Sequence, residues 1–152
     1  MPRLVILRHA KSAWPEGVPD YRRPLADRGR IEAPAVGRWL AEHVPDIDLA
    51  LVSPATRTRQ TWDLVSAELP AVPEVRFEEQ LYGEGAEAIL DLLGSLAEVK
   101  TVLVIGHNPD LELLVGSLTG EHPVLKTSTL SVVKCARGFR SGELVMTEKI
   151  RP

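Results

Sequence analysis

The sequence is poor in cysteine and contains no long apolar run. Cys135 is the only cysteine among 152 residues, so no disulfide can form within the chain. It lies in the strand-like segment LSVVKCA, where we expect a core or half-buried side chain. No apolar stretch is long enough to cross a bilayer, and the short one after Arg3 leads into Arg-His, unlike a signal peptide. We therefore expect a cytoplasmic protein that does not bind membranes.

A large excess of charge of one sign is also missing. The formal net charge is −3, which gives no reason to expect nucleic acid as a partner. The charge is unevenly distributed, however: residues 1–30 carry a net +4 and the remainder carries −7. A local basic patch on an acidic body suits a small anionic group. Hydrophobic residues make up 44% and charged residues 26%, as in ordinary globular proteins, and the length predicts a single domain over residues 1–152.

Apolar runs alternate with helical patterns along the chain. This alternation predicts an α/β fold, a three-layer sandwich with a mostly parallel central sheet and helices on both faces. The predicted strands are 4–7, 49–52, 75–81, 101–105, 130–136 and 143–150, and the last two form a hairpin with one strand antiparallel to the rest. The predicted helices are 27–43, 53–69, 84–97 and one from 110 that ends near Gly120.

Local signals refine these helices. Ser53 and Asn108, each followed by proline, are predicted to cap the second and fourth helices. Residues 13–25, with three prolines and one glycine, are predicted to form a loop that would be the rim of a site. The core face of the first helix is predicted to include Ile31, Ala35 and Trp39, and that of the second to include Trp62.

Three predicted strands end in basic residues. Arg8 and His9 follow the first strand, Arg57 lies one helical turn beyond the second, and His107 follows the fourth. In parallel α/β sheets, ligands bind at the carboxyl ends of the strands, so these side chains should face a common crevice. Guanidinium forks and helix N-termini together favour a tetrahedral oxyanion such as phosphate.

The pairing of histidine with arginine indicates a reaction rather than binding alone. Arginine cannot act as a nucleophile at neutral pH, but a neutral imidazole can. Neighbouring cations hold the pKa of an imidazole down and keep it neutral. The residues therefore suggest phosphoryl transfer to a histidine, followed by hydrolysis.

Four segments also carry a resemblance to a known family. In order, they are LVILRHAKS, YRRPLADRGR, LVSPATRTRQT and VLVIGHNPDLELLVGSL. With them the chain resembles the histidine phosphatase superfamily, which has the phosphoglycerate mutase-like fold, and within it the SixA-type phosphohistidine phosphatases. The resemblance implies a phosphatase that needs no metal and no cofactor. It also implies a substrate that is a phosphohistidine-bearing signalling protein or a small phosphoester.

The resemblance implies a role for each of the four basic residues. His9 would be the phosphorylated nucleophile, Arg8 and Arg57 would bind the phosphoryl oxygens, and His107 would stabilise the transition state. Ala10 stands where the superfamily usually has glycine. Lys11, Ser12 and Asn108, which adjoin these residues in sequence, are further candidate substrate contacts.

Two further site residues are predicted with an alternative beside each. The segment Glu79-Gln80-Leu81-Tyr82-Gly83 matches a superfamily context that makes Glu79 the candidate general acid, or Glu79 is a solvated residue at a strand end. A phosphohistidine substrate weakens the need for an acid, because a protonated imidazole leaves readily. Thr127, with Ser128, could donate a hydroxyl to phosphate or could cap a local turn.

Rival functions have specific sequence features. His9 and His107 with Asp110 or Glu112 could form a metal site, although the adjacent arginines would repel a cation. The segment GEGAEA at 83–88 fits a dinucleotide-binding pattern, but its glutamates oppose a pyrophosphate, and we interpret it as a helix start. A phospho-ligand binding module without turnover is the remaining alternative.

Overall fold

A six-stranded sheet organises the chain, and the structure, a computed structural model, describes all residues 1–152. Two short 3-10 helices, over Asp20–Arg22 and Glu79–Leu81, lie in the connections. The strands are β1 (Arg3–Arg8), β2 (Leu49–Val52), β3 (Glu74–Phe77), β4 (Thr101–Gly106), β5 (Thr129–Cys135) and β6 (Gly142–Lys149). The helices are α1 (Asp27–His43), α2 (Thr56–Ser66), α3 (Ala86–Gly94) and α4 (Asp110–Thr119).

The strand order is β3-β2-β4-β1-β5-β6. β4 pairs in parallel with both β1 and β2, β2 pairs in parallel with β3, and β5 runs antiparallel to both β1 and β6. The mostly parallel sheet with one reversed strand and a closing hairpin is therefore confirmed. In the register of β1 against β4, Arg8 lies opposite Gly106, so the residues that follow each strand emerge side by side.

The sheet separates two hydrophobic layers, because successive side chains of a strand point to opposite faces. One face of β1 and β4 packs with α3 and α4, and the other packs with α1 and α2. Cys135 is fully buried in the first layer, as expected from its segment. The three-layer α/β sandwich is confirmed. No helix is both long enough and apolar enough to cross a membrane.

The core face predicted for α1 is only partly correct. Ile31 is 60% exposed and Trp39 is half-buried, where its indole stacks on the His43 ring at 4.3 Å. The helix lies so close to α2 that a Cβ on Gly37 would come within 2.5 Å of a carbonyl oxygen of that helix. Small side chains fit so close a contact and large ones do not. Ala35 is buried in the core, as predicted. The buried residues of α1 are Gly29, Glu32, Ala33, Ala35, Val36, Gly37 and Leu40.

Both predicted helix caps are wrong. α2 begins at Thr56 after Ala55, and α4 begins at Asp110 after Pro109, without a side-chain cap on either helix. The side chains of Ser53 and Asn108 are instead used near the carboxyl edge of the sheet. β3 and α3 are also shorter than predicted, and the residues between them include the 3-10 helix Glu79–Leu81.

We predict that Gly37→Ala destabilises the fold by about 1–3 kcal/mol, because the new methyl group would overlap backbone atoms that cannot move independently. Gly116→Ala is the matched control within α4. There the added Cβ meets only the ring of exposed His122, which can rotate away, and alanine is the better helix former. Urea unfolding of the two variants measures the difference. A Gly37→Ala protein as stable as wild type would contradict the close contact between α1 and α2.

Candidate active site

Two buried histidines meet where β1 and β4 end. Their ring centroids lie 5.3 Å apart, with the ring planes at 55°. His9 is 5% exposed and His107 is 8% exposed. The parallel register of the two strands creates this juxtaposition of residues that are 98 positions apart in the chain.

The backbone orients the His9 ring. Its Nδ1–H donates to the Ala10 carbonyl oxygen at 2.7 Å, which leaves the lone pair on Nε2. The Ala10 N–H donates to Thr61 Oγ1 at 3.1 Å, so α2 holds the segment from behind. Burial lowers the pKa of His9 to about 3, and the nearby His107, Arg57 and Arg8 add to that effect, although the Ala10 hydrogen bond opposes it. Nε2 is therefore unprotonated at neutral pH and carries a free lone pair.

The His107 ring is held by the end of β2. Its Nε2 lies 2.7 Å from Ser53 Oγ, and its buried Nδ1 has no hydrogen-bond partner in the protein. Burial lowers the pKa of His107 to about 4, with Arg57 the second cause, so this ring is also neutral. Ser53 thus orients an imidazole rather than capping a helix, a role that sequence reasoning missed.

Two guanidinium groups lie beside the imidazoles. Arg8 donates from Nη1 to the Leu125 carbonyl at 3.1 Å. Arg57 donates from Nη1 to the Asp20 carbonyl at 2.8 Å and from Nη2 to Asp20 Oδ2 at 3.1 Å. The Nε atom of each arginine is buried without a partner. An unpaired buried donor is costly, so an oxyanion that accepts from these groups would be stabilised.

These side chains border a crevice of about 330 Å³. All four basic residues predicted for the site line it, as do the four predicted substrate contacts. Four of the five buried side-chain N and O atoms without a partner belong to residues of this lining. No carboxylate belongs to it. The lining residues are Arg8, His9, Lys11, Ser12, Trp14, Arg23, Arg57, His107, Asn108 and Thr127.

Glu79, predicted as a general acid, is not brought to this crevice. It begins the 3-10 helix Glu79–Leu81, is exposed, and is not among the lining residues. Tyr82, which follows in the same motif, does reach the site. Its ring packs edge-on against His107 with centroids 5.5 Å apart, and its hydroxyl donates to Asp20 Oδ2 at 2.7 Å.

Asp20 is the main site residue that sequence reasoning missed, whereas its partner Arg23 lies in the loop predicted as the rim. The Asp20 carboxylate accepts hydrogen bonds from Tyr82, Arg23 and Arg57. Those donors, Tyr82 above all, hold its pKa far below the usual range, so it is ionised at neutral pH. The only indication in the sequence was an acidic residue three positions before an arginine in the proline-rich loop. The sequence of a loop does not show which way its side chains point.

A buried ion pair supports the site from below. Glu32, within α1, accepts hydrogen bonds from Lys149 Nζ at 3.1 Å and from Ser128 Oγ at 3.2 Å. The Ser128 N–H in turn donates to the carbonyls of Arg8 and His9, both at 3.2 Å. Ser128 therefore holds the backbone of the Arg8–His9 segment in position and does not line the crevice. Its neighbour Thr127 does line the crevice.

The two carboxylates that were considered as metal ligands accept hydrogen bonds from backbone amides instead. Asp110 Oδ2 accepts from the Gly85 N–H at 3.1 Å, and Glu112 Oε2 accepts from the Leu125 N–H at 2.7 Å. No group of three His, Cys, Asp or Glu side chains could hold a metal ion. Gly85 directly precedes α3, so GEGAEA is a helix start, as interpreted from its sequence.

The comparisons with known proteins agree with this geometry. Residues 4–89 match the family model of the histidine phosphatase superfamily (branch 1). The chain is 40% identical over 118 residues to an uncharacterised protein of Mycobacterium tuberculosis, which covers 75% of this chain and 72% of that protein. It is 33% identical over 132 residues to the phosphohistidine phosphatase SixA of Escherichia coli, which covers 84% of this chain and 81% of that protein.

The chain belongs to the histidine phosphatase superfamily. A solved structure described as the protein histidine phosphatase SixA complexed with tungstate superposes with a TM-score of 0.88 at 28% identity, over 97% of this chain and 96% of that one. The SixA-type resemblance found in the sequence is confirmed, and so is the assignment of the chain as a phosphatase.

We predict that the two neutral histidines make the stability of this phosphatase fall with acid. Because the folded pKa values lie near 3 and 4, below the ordinary value of 6.5, the unfolded chain binds more protons as the pH falls from 6.5. Their contribution is complete above pH 6.5 and is lost toward pH 4. Each histidine contributes a slope of up to about 1.4 kcal/mol per pH unit.

Denaturant unfolding between pH 7 and pH 5 measures this slope. In His9→Gln, the free energy of unfolding should depend on pH less steeply than in wild type, by the equivalent of nearly one bound proton. His122→Gln, which replaces an exposed histidine outside the crevice lining, is the matched control. Equal slopes for wild type and His9→Gln would show that His9 does not remain neutral in the folded protein.

Proposed function

We propose that this phosphatase removes phosphate from phosphohistidine on another protein, through a covalent phosphohistidine on His9. The observation that carries the proposal is the His9 ring itself. It is neutral, its Nδ1–H is fixed on a backbone carbonyl, and Nε2 keeps its lone pair at a crevice lined by cations. A nucleophile for an electron-poor phosphorus atom needs these properties.

The arginines are proposed to bind the phosphoryl oxygens. Arg8 and Arg57 each keep a buried Nε donor that the protein does not use. His107 is proposed to donate to the oxygens as charge redistributes in the transition state. The SixA structure complexed with tungstate supports this assignment, because tungstate is a tetrahedral oxyanion like phosphate.

The first step exchanges one phosphorus–nitrogen bond for another. The His9 Nε2 lone pair attacks phosphorus, the bond to the substrate imidazole breaks, and its electron pair returns to the substrate nitrogen. The substrate ring already carries a proton on its other nitrogen, so it leaves as neutral imidazole. The His9 Nδ1–H gives the intermediate the same protonation pattern, and no net proton transfer is required.

The second step releases phosphate. Water attacks phosphorus, the bond to Nε2 breaks, and its electron pair returns to His9 as the starting lone pair. Both protons of the water leave on the product as dihydrogen phosphate. Fixed donors around the oxygens stabilise both transition states, which lie at the same phosphorus position.

The lack of an acid supports a phosphohistidine substrate over an alkyl phosphoester. An alkoxide leaving group must receive a proton, but imidazole leaves without one. No carboxylate lines the crevice, Asp20 is ionised, and Glu79 is exposed and is not among the lining residues. The phosphohistidine phosphatase SixA, 33% identical, supports the same substrate class. Small phosphoesters remain the alternative substrate, and a binding module without turnover remains the alternative function.

We predict that His9→Ala abolishes hydrolysis of phosphohistidine peptides and of aryl phosphate, a loss of at least about 10³-fold, because the covalent route disappears. His122→Ala should keep wild-type activity. Wild-type activity should persist in EDTA, and turnover mixtures quenched in alkaline detergent should contain phosphate on His9 that is stable in alkali and lost in acid. Retained phosphate binding with no hydrolysis of either substrate would favour the binding module, and activity abolished by EDTA would exclude the metal-free route.

We predict that Glu79→Gln leaves kcat and KM for phosphohistidine within about twofold of wild type, because the side chain is exposed and does not line the crevice. Steady-state kinetics with a phosphohistidine peptide and with an alkyl phosphoester provide the measurement. A kcat that falls 10²-fold or more for the alkyl ester would restore Glu79 as a general acid.

A further inference from the structure

An exposed indole forms one wall of the crevice. Trp14 is 76% exposed, yet it belongs to the lining together with His9 and Arg57. The other two tryptophans do not line the crevice, and Trp62 is only 4% exposed. A large aromatic face left in water beside a reactive centre needs a reason, because its burial would be favourable.

The indole stands on a rigid base. Its inner face lies on the guanidinium of Arg23, whose Cζ is 3.2 Å from the ring centroid. The loop that carries it is closed at its neck by the Ser12–Leu25 bridge and by the hydrogen bond from the Ala13 N–H to the Pro24 carbonyl. The ring is therefore pre-positioned, and a partner that binds it does not have to order the loop.

The hydrogen bonds of Arg23 show that it supports the ring. Its Nε donates to the Ala13 carbonyl at 3.1 Å, Nη1 donates to Asp20 Oδ1 at 2.9 Å, and Nη2 donates to Ser12 Oγ. Arg23 is 6% exposed, and all three nitrogen atoms of its guanidinium donate hydrogen bonds within the protein. Arg23 therefore holds the inner face of the Trp14 ring in position, and the outer face of the ring remains exposed.

We propose that the outer face of Trp14 stacks on the flat ring of the leaving group, so that the enzyme selects phosphoryl groups carried by an aromatic or heteroaromatic ring. The inference rests on the proposed function and deepens it, because it names what distinguishes the preferred substrate. Phosphorus and the leaving imidazole are directly bonded, so a ring beside bound phosphate lies at the crevice wall. Offset stacking between two flat rings supplies discrimination that a point charge cannot.

The two-step reaction predicts which step should be affected by the loss of Trp14. The leaving group is present only while His9 is being phosphorylated. Loss of the indole should therefore weaken binding and transfer from ring-bearing substrates by about 3- to 10-fold, the size of one aromatic contact. Hydrolysis of the phosphorylated His9 should keep its wild-type rate.

The experiment compares two phosphoramidates that differ only in the leaving group. Free phosphohistidine carries a ring, and phosphoramidate itself releases ammonia. For Trp14→Ala we expect kcat/KM to fall about 3- to 10-fold with phosphohistidine and to stay within about twofold with phosphoramidate. Trp14→Phe should recover most of the loss and Trp14→Leu should not, because only phenylalanine restores a flat ring. Trp39→Phe, outside the crevice lining, is the control.

Equal losses on both substrates, or no loss on either, would overturn the stacking inference while the proposed function stands. If wild-type protein turned over neither of these substrates nor a phosphohistidine peptide, the proposed function would fail. The stacking inference would then be tested by binding. The Kd values of phosphohistidine and of phosphoramidate would be measured for the His9→Ala variant and for the same variant that also carries Trp14→Ala. A Kd for phosphohistidine that rises about 3- to 10-fold without the indole, with the Kd for phosphoramidate unchanged, supports stacking. An unchanged ratio rejects it.

Discussion

Everything in the site depends on keeping two imidazoles neutral beside fixed cations. Burial removes the water that would stabilise an imidazolium, and the guanidinium of Arg57 disfavours a further positive charge. The same cations attract an anion, so one arrangement would serve both the proposed nucleophile and the phosphoryl group that it attacks. The cost is a loss of stability in acid, which is the expected consequence of burying a titratable base in its neutral form.

The positively charged side chains of the site must themselves be held in position. Asp20 does so from the loop, where its carboxylate joins Arg23, Arg57 and Tyr82 in one network. Below the crevice, the buried pair of Glu32 and Lys149 supports Ser128, whose amide holds the backbone of the nucleophile segment. Buried pairs of this kind are weak contributors to net stability, but removal of one partner is costly. Their use here is geometric, because they keep Nε2 aligned.

The carboxylates near the site are already engaged within the protein. The carboxylates nearest to the site bind backbone amides or arginines, and each is committed before a ligand arrives. The remaining lining donates hydrogen bonds and carries positive charge. A surface of this kind suits a tetrahedral anion whose leaving group needs no acid, which is the basis of the proposed phosphohistidine substrate.

The sequence by itself determined the succession of elements along the chain, through short apolar runs, helical patterns of period 3.6 and basic residues at three strand ends. Those features are local, and they predicted the sandwich, the bounds of α1 and β2, and four of the six basic residues that line the crevice. Tertiary structure alone decided that Ser53 orients His107, that Asp20 rather than Glu79 joins the site network, and that small residues of α1 face α2. These depend on distances between segments far apart in the chain, and on how closely two helices pack, which no local pattern contains.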